Sequence, residues 1–128
     1  MAYATEPDVL SLLGDLAISS SINVLGVIQD AANEIDSHLG ELYVVPIVVA
    51  SLPAHQAGML KMMNARLAGG RLIMALAVGG EDRQLQAYGA SLAQLAYDDL
   101  NRIVGGSVLL GGQAEVGPTR AVDIPGIV

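Results

Sequence analysis

The sequence predicts an all-α protein: a small four-helix bundle with a short first helix, three longer helices and an extended C-terminal tail. Apolar residues recur every three or four positions in three long stretches, which is the helical period. Pairs of glycines and single prolines separate these stretches. The 128 residues have the length of one domain, which we divide into a helical body, residues 1–110, and a tail, residues 111–128.

The first helix is predicted to begin at Thr5 and to end at Gly14. Thr5 is a suitable N-cap and Pro7 suits the first helical turn. Glu6 and Asp8 carry negative charge at the positive end of the helix dipole. A glycine that follows the last apolar residue commonly ends a helix. A run of three serines at 19–21 then predicts a linker and a second cap.

The second helix is predicted over residues 22–43, before Pro46 interrupts the helical pattern. Its apolar residues recur at steps of three or four and therefore share one face. They are Leu25, Ile28, Ala32, Ile35, Leu39 and Leu42. The segment from Val44 to Ala50 that follows is rich in β-branched residues, which predicts an extended backbone.

A third helix is predicted from Pro53 to Val78 and a fourth from Glu81 to the Gly105-Gly106 pair. The third helix is apolar on nearly every face, which indicates burial inside the body or between chains. Gly69-Gly70 in its middle costs roughly 1 kcal/mol per residue relative to alanine, so close helix packing or a kink is expected there. The fourth helix carries an apolar stripe: Leu85, Tyr88, Leu92, Ala96, Leu100 and Ile103.

The composition argues against several classes of function. Acidic residues outnumber basic ones 13 to 6, and the net charge of -7 would repel nucleic-acid phosphates. The chain has no cysteine, so disulfides and thiolate chemistry are excluded. Its longest apolar run, Leu42 to Ala50, contains a proline and is far shorter than the roughly 20 residues of a membrane helix. We therefore expect no membrane segment.

The chain carries more apolar residues than a small core can bury. Hydrophobic residues make up 52% of it, with no Phe and no Trp. A domain of about 150 residues buries only about two thirds of its unfolded surface. Part of the apolar surface is therefore expected to contact other protein chains.

Few residues suggest chemistry. Glu34, His38 and Glu41 fall near one face of the second helix and could contact one metal ion, but a solvated polar face is the preferred interpretation. His55 lies in the first turn of the third helix, and Ser91 lies in a helical stripe that does not match a nucleophile elbow. We therefore predict no catalytic residues, no metal and no cofactor, and we do not expect an enzyme.

Three segments of the chain carry a family resemblance: Tyr3 to Val9, Ala32 to Leu39, and Leu42 to Pro46. Together they resemble the head-tail connector (adaptor) proteins of tailed bacteriophages. The similarity in layout covers residues 1 to about 110. Its most specific part is the string Glu34-Ile35-Asp36, Tyr43 and Pro46.

The resemblance implies a structural protein of the virion. Such proteins form a homo-oligomeric ring, usually dodecameric, between the portal protein of the DNA-filled capsid and the tail or stopper protein. Genomic DNA passes through the lumen of the ring without sequence-specific binding. The expected location is the head-tail neck of the virion, after synthesis in the host bacterial cytoplasm.

Contacts with these partners are expected from apolar residues outside the helix stripes. The tail cannot bury its own apolar residues, so we predict that they dock on the portal or on a neighbouring copy. They are Val116, Val122, Ile124, Ile127 and Val128. Further subunit contacts are predicted at Val44, Val45, Ile47, Val48, Gly69 and Gly70.

An alternative interpretation is a small helical regulatory or ligand-binding module. Three of the five methionines, at positions 59, 62 and 63, lie in the third helix. Methionine side chains adapt their shape, so this helix could line a Met-rich binding groove. At this helical spacing a packed core is the preferred interpretation of the methionines.

Overall fold

A computed structural model of the chain describes residues 2–14, 22–77, 83–106 and 110, and within these it shows four α-helices and no β-strand. The predicted all-α four-helix architecture is thereby confirmed. The tail from residue 111 onward lies outside the described residues. The elements are α1 Glu6–Leu13, α2 Val24–Leu39, a 3₁₀ turn Val49–Ser51, α3 Ala54–Ala77 and α4 Arg83–Val104.

The third helix is the centre of the body. It contacts each of the other three helices, most extensively α4. Leu60, Met63, Leu67, Leu72 and Ile73 are each almost completely buried. The apolar character that the sequence shows on nearly every face of α3 is therefore explained within one chain.

The first helix begins and ends where the sequence predicts. Thr5 is the N-cap, and both its amide and its hydroxyl donate to a carboxylate oxygen of Asp8 at 2.9 Å. Pro7 lies in the first turn. Gly14 follows the last helical residue with a φ of 60°, a left-handed value that glycine adopts without strain.

The second helix is shorter than predicted at both ends. Its N-cap is Asn23, whose side chain accepts a hydrogen bond from the amide of Gly26 at 3.0 Å. It ends at Leu39 and is capped by Gly40. Leu25 lies in the first turn and is 61% exposed, whereas Ile28 and the later members of the predicted stripe pack into the body.

The third and fourth helices touch through their backbones at Gly70 and Gly89. A Cβ atom added to Gly70 would lie 2.6 Å from the carbonyl oxygen of Gly89 and 3.0 Å from the amide nitrogen of Ala93. A Cβ atom on Gly89 would lie 2.9 Å from the oxygen of Gly70. Only glycine permits this approach, and the close packing expected at Gly69-Gly70 is present for Gly70.

The same geometry corrects the prediction of subunit contacts at this glycine pair. Gly70 is buried against α4, and Gly69 is buried against Val9 and Leu12 of α1. This chain's own helices already occupy the surface that the two glycines were expected to offer to a neighbouring copy.

Candidate interaction surface

An exposed apolar segment, Val44 to Ala50, lies in the connection between α2 and α3. Val44 is 52%, Val48 58% and Val49 38% exposed. Tyr43 and Ile47, at 3% and 5%, point into the core. The segment therefore has an inner side that fixes it to the body and an outer side that presents valines to solvent.

The phenol of Tyr3 holds this segment to the body. The backbone amide of Ile47 donates to the Tyr3 hydroxyl at 2.9 Å, and that hydroxyl donates to the Asp36 carboxylate of α2. Burial, assisted by the hydrogen bond to Asp36, raises the pKa of Tyr3 above its ordinary value, so the phenol keeps the proton that it donates. Burial also raises the pKa of Asp36.

Tyr3 is itself positioned by Asn64, a completely buried side chain of α3. The amides of Tyr3 and Ala4 donate to the Asn64 Oδ1 atom at 2.8 and 2.9 Å. The Nδ2 atom of Asn64 donates to the carbonyl oxygen of Ile28 in α2 at 3.1 Å. One amide side chain thus joins the N-terminal segment, α2 and α3, and these three bonds are to the backbone.

A groove of about 340 Å³ lies between the N-terminal segment and the exposed segment. Its lining is almost entirely apolar, which suits an apolar side chain of another segment or protein. The described residues that line it are Ala2, Tyr3, Pro46, Ile47, Val48, Val49 and Ala50.

The chain returns to this region after α4. Leu110 is 3% exposed, and its amide donates to the hydroxyl of Tyr43 at 3.1 Å. Tyr43 lies only three residues before Pro46. The described residue that precedes the tail is therefore held by Tyr43, the residue just before the exposed segment.

The predicted contact residues fall into three groups. Val44 and Val48 are exposed and Val45 is half-buried, so a contact of these three residues with another copy stays a prediction. The subunit contact predicted at Ile47 does not agree with the structure, because the Ile47 side chain points into the core and its amide is bonded to Tyr3. The five predicted tail residues lie outside the described residues: Val116, Val122, Ile124, Ile127 and Val128.

The metal candidate Glu34 has another role. Its carboxylate accepts hydrogen bonds from the guanidinium of Arg71 in α3 and from the hydroxyl of Tyr97 in α4. Among the described residues, no group of three or more His, Cys, Asp or Glu side chains could hold a metal ion. Glu34 therefore ties three helices together by a partly exposed ionic cluster.

This cluster predicts a pH dependence of stability. The hydrogen bond from Tyr97, and next that from Arg71, lowers the pKa of Glu34 below its ordinary value. Glu34 therefore stabilises the fold above its unfolded pKa, and this contribution is lost as the pH falls from the unfolded pKa through the folded pKa.

The difference in urea stability between the wild type and Glu34→Gln should shrink across that range. The raised pKa of Asp36 changes stability with pH in the opposite direction. Asp36 is present in both proteins, so its effect cancels in the difference between them. Tyr97→Phe removes the hydrogen bond that contributes most to the lowered pKa of Glu34. This variant should therefore lose less stability on acidification than the wild type. A difference that stays constant with pH would contradict this assignment.

The catalytic candidates that the sequence singled out are exposed. His55 and Ser91 are both exposed, on α3 and α4. Asp99 of α4 pairs with Arg66 of α3 at 3.7 Å and with Arg102 at 3.3 Å. Its negative charge near the end of α4 is thus balanced by nearby cations.

Sequence reasoning missed Asn64 and the individual role of Tyr3. The available signal for Asn64 was its position in the middle of a helix that is apolar on nearly every face. A polar side chain buried there must find hydrogen-bond partners. Tyr3 was noticed only as part of a motif, since its partners are distant in the sequence.

None of the helices in the described part of the chain is long and apolar enough to span a bilayer. Comparisons with protein-family models, with curated proteins and with solved structures give no match to this chain.

Proposed function

We propose that this protein is a structural connector of the bacteriophage neck, which forms a ring with copies of itself and joins the portal protein to the tail or stopper protein. It works through protein–protein contacts, and DNA passes through the ring lumen. The net charge of -7 suits this passage, because like charges would not trap the DNA.

The observation that carries the proposal is the exposed valine segment. Val44, Val48 and Val49 place branched apolar side chains in solvent beside an apolar groove. Burying apolar surface in a partner releases about 25 cal/mol per Å². The segment is also fixed to the body by the Tyr3 hydroxyl, so little conformational freedom would be lost on binding.

The residues of the family resemblance support the same proposal. Asp36 and Tyr43 belong to its most specific string, and Tyr3 belongs to its first segment. In the structure Asp36 and Tyr3 hold the exposed segment in place, and Tyr43 anchors the residue at which the tail begins. The motif thus builds the surface to which we assign partner binding.

The alternative, a ligand-binding module with a Met-rich groove, finds less support. Met63 is completely buried in the core, and Met59 packs against that core. None of the described residues that line the groove is a methionine.

A double substitution in the exposed segment tests the proposal. Val44→Asp with Val48→Asp should weaken ring formation or portal binding by more than about tenfold, because charges would have to be desolvated at the contact. The fold should be retained, since both side chains project outward. Sedimentation velocity measures ring formation, and pull-down with the portal protein encoded in the same genome measures portal binding.

Leu95→Asp is the matched control, because Leu95 is 46% exposed on α4, in a different element from the segment. It should leave assembly unchanged. Equal binding by the double variant and the wild type would remove the segment from the proposed interface.

A further inference from the structure

The groove and the residue before the tail both involve the connection between α2 and α3. The groove wall runs from Pro46 to Ala50, and the amide of Leu110, the residue before the tail, is bonded to Tyr43. Because Leu110 is buried, it is fixed to the body. The 18 residues from 111 to 128 follow it.

We propose that in the free protein the C-terminal segment 111–128 docks in the groove of its own chain. The contact covers the apolar wall formed by Pro46 to Ala50 together with Tyr3. This inference goes beyond the proposed function and does not depend on it, since it concerns the isolated chain.

The reach of the chain allows this contact. Pro46 is three residues from Tyr43, so their Cα atoms lie within about 11 Å of each other. The Leu110 amide lies beyond the Tyr43 side chain, 3.1 Å from its hydroxyl, so about 20 Å bounds its distance from Pro46. Val122 is 12 residues beyond Leu110, and an extended chain of that length spans up to about 40 Å. The groove is therefore well inside the range of the tail's apolar residues.

The sequence of the tail suits a one-sided apolar contact. Val116, Val122, Ile124 and Val128 all occupy even-numbered positions. In an extended backbone alternate residues point to the same side, so these four would share one face. Ile127 would point to the other face.

Tethering favours the chain's own groove over that of a second copy. A short flexible connection gives an effective concentration in the millimolar range. A second copy at micromolar concentration competes poorly with such a segment.

Disulfide trapping in the full-length protein tests the proposal directly. The natural chain has no cysteine, so a pair can be introduced without background. Val48→Cys with Ile124→Cys should form an intramolecular disulfide under mild oxidation at micromolar concentration. The control pair is Leu95→Cys with Ile124→Cys, which places the first cysteine at an exposed position of α4. The disulfide of the test pair should form about ten times faster than that of the control pair.

Non-reducing electrophoresis and mass spectrometry separate the outcomes. A fast-forming monomeric disulfide supports the proposal. Disulfide-linked dimers would overturn it in favour of a second copy as the occupant. A rate equal to that of the control pair would also overturn it, because the groove would then show no preference for the tail.

Hydrogen exchange gives a second measurement without cysteines. Val122→Asp with Ile124→Asp should speed amide exchange in a peptide covering residues 46–50 by about fivefold, because the covering segment is lost. Ile127→Asp is the matched control on the opposite face and should change little. Unchanged exchange in the double variant would contradict the docking.

Discussion

Asn64→Ala is expected to lower the free energy of unfolding by about 3 kcal/mol or more. Asn64 is completely buried, and alanine would leave the amides of Tyr3 and Ala4 without their partner and remove the tie to α2 at the carbonyl of Ile28. An unsatisfied buried polar group costs about 1–3 kcal/mol. The loss also frees the N-terminal segment that carries Tyr3.

Urea unfolding followed by far-ultraviolet circular dichroism measures this effect. Asn33→Ala is the matched control, because Asn33 is exposed on α2 and its side chain accepts a hydrogen bond from Gln29 between exposed groups. It should change stability by less than about 0.5 kcal/mol. If Asn64→Ala behaved like Asn33→Ala, the central role of the buried amide would be refuted.

Gly70→Ala should destabilise the protein by about 2 kcal/mol, although alanine favours a helix over glycine by about 1 kcal/mol. The added methyl group would meet the carbonyl oxygen of Gly89 and the amide of Ala93, which are backbone atoms that side-chain rotation cannot move. The two helices would have to separate along their longest contact.

Two other glycines in α3, Gly58 and Gly69, supply controls for this substitution. At Gly58 a Cβ atom would meet nothing within 4 Å, so Gly58→Ala should stabilise the protein by about 0.5–1 kcal/mol. At Gly69 the nearest atom is Leu12 Cδ1 at 3.5 Å, an ordinary contact, and alanine should be tolerated. If all three variants had equal stability, the close approach at Gly70 would not exist.

Much of the fold could be predicted from local signals. Thr5, Pro7 and Gly14 bound α1 because capping and turn preferences act over a few residues. Helical periodicity located α3 and α4 to within a few residues. The start of α2 was missed because Asn23 provides the cap, and the serine run upstream offered an equally good one.

Contacts between distant residues could not be predicted. The sequence shows glycines at 70 and 89 but gives no way to pair them. Likewise, Ile47 is apolar and β-branched like its valine neighbours, and the sequence gives no sign that its side chain is buried and its amide bonds to Tyr3. Val44, Val45, Ile47 and Val48 were predicted together as subunit contacts from one β-branched segment, and the sequence could not separate the exposed Val44 and Val48 from the buried Ile47.

The central claim is that this protein assembles on a portal through its exposed valine segment. Negative-stain electron microscopy of the purified protein, alone and mixed with the portal protein encoded in the same genome, tests it most directly. We expect rings, or added density beneath the portal, that disappear in the Val44→Asp, Val48→Asp variant. A compact monomer or dimer that leaves the portal unchanged would contradict the account.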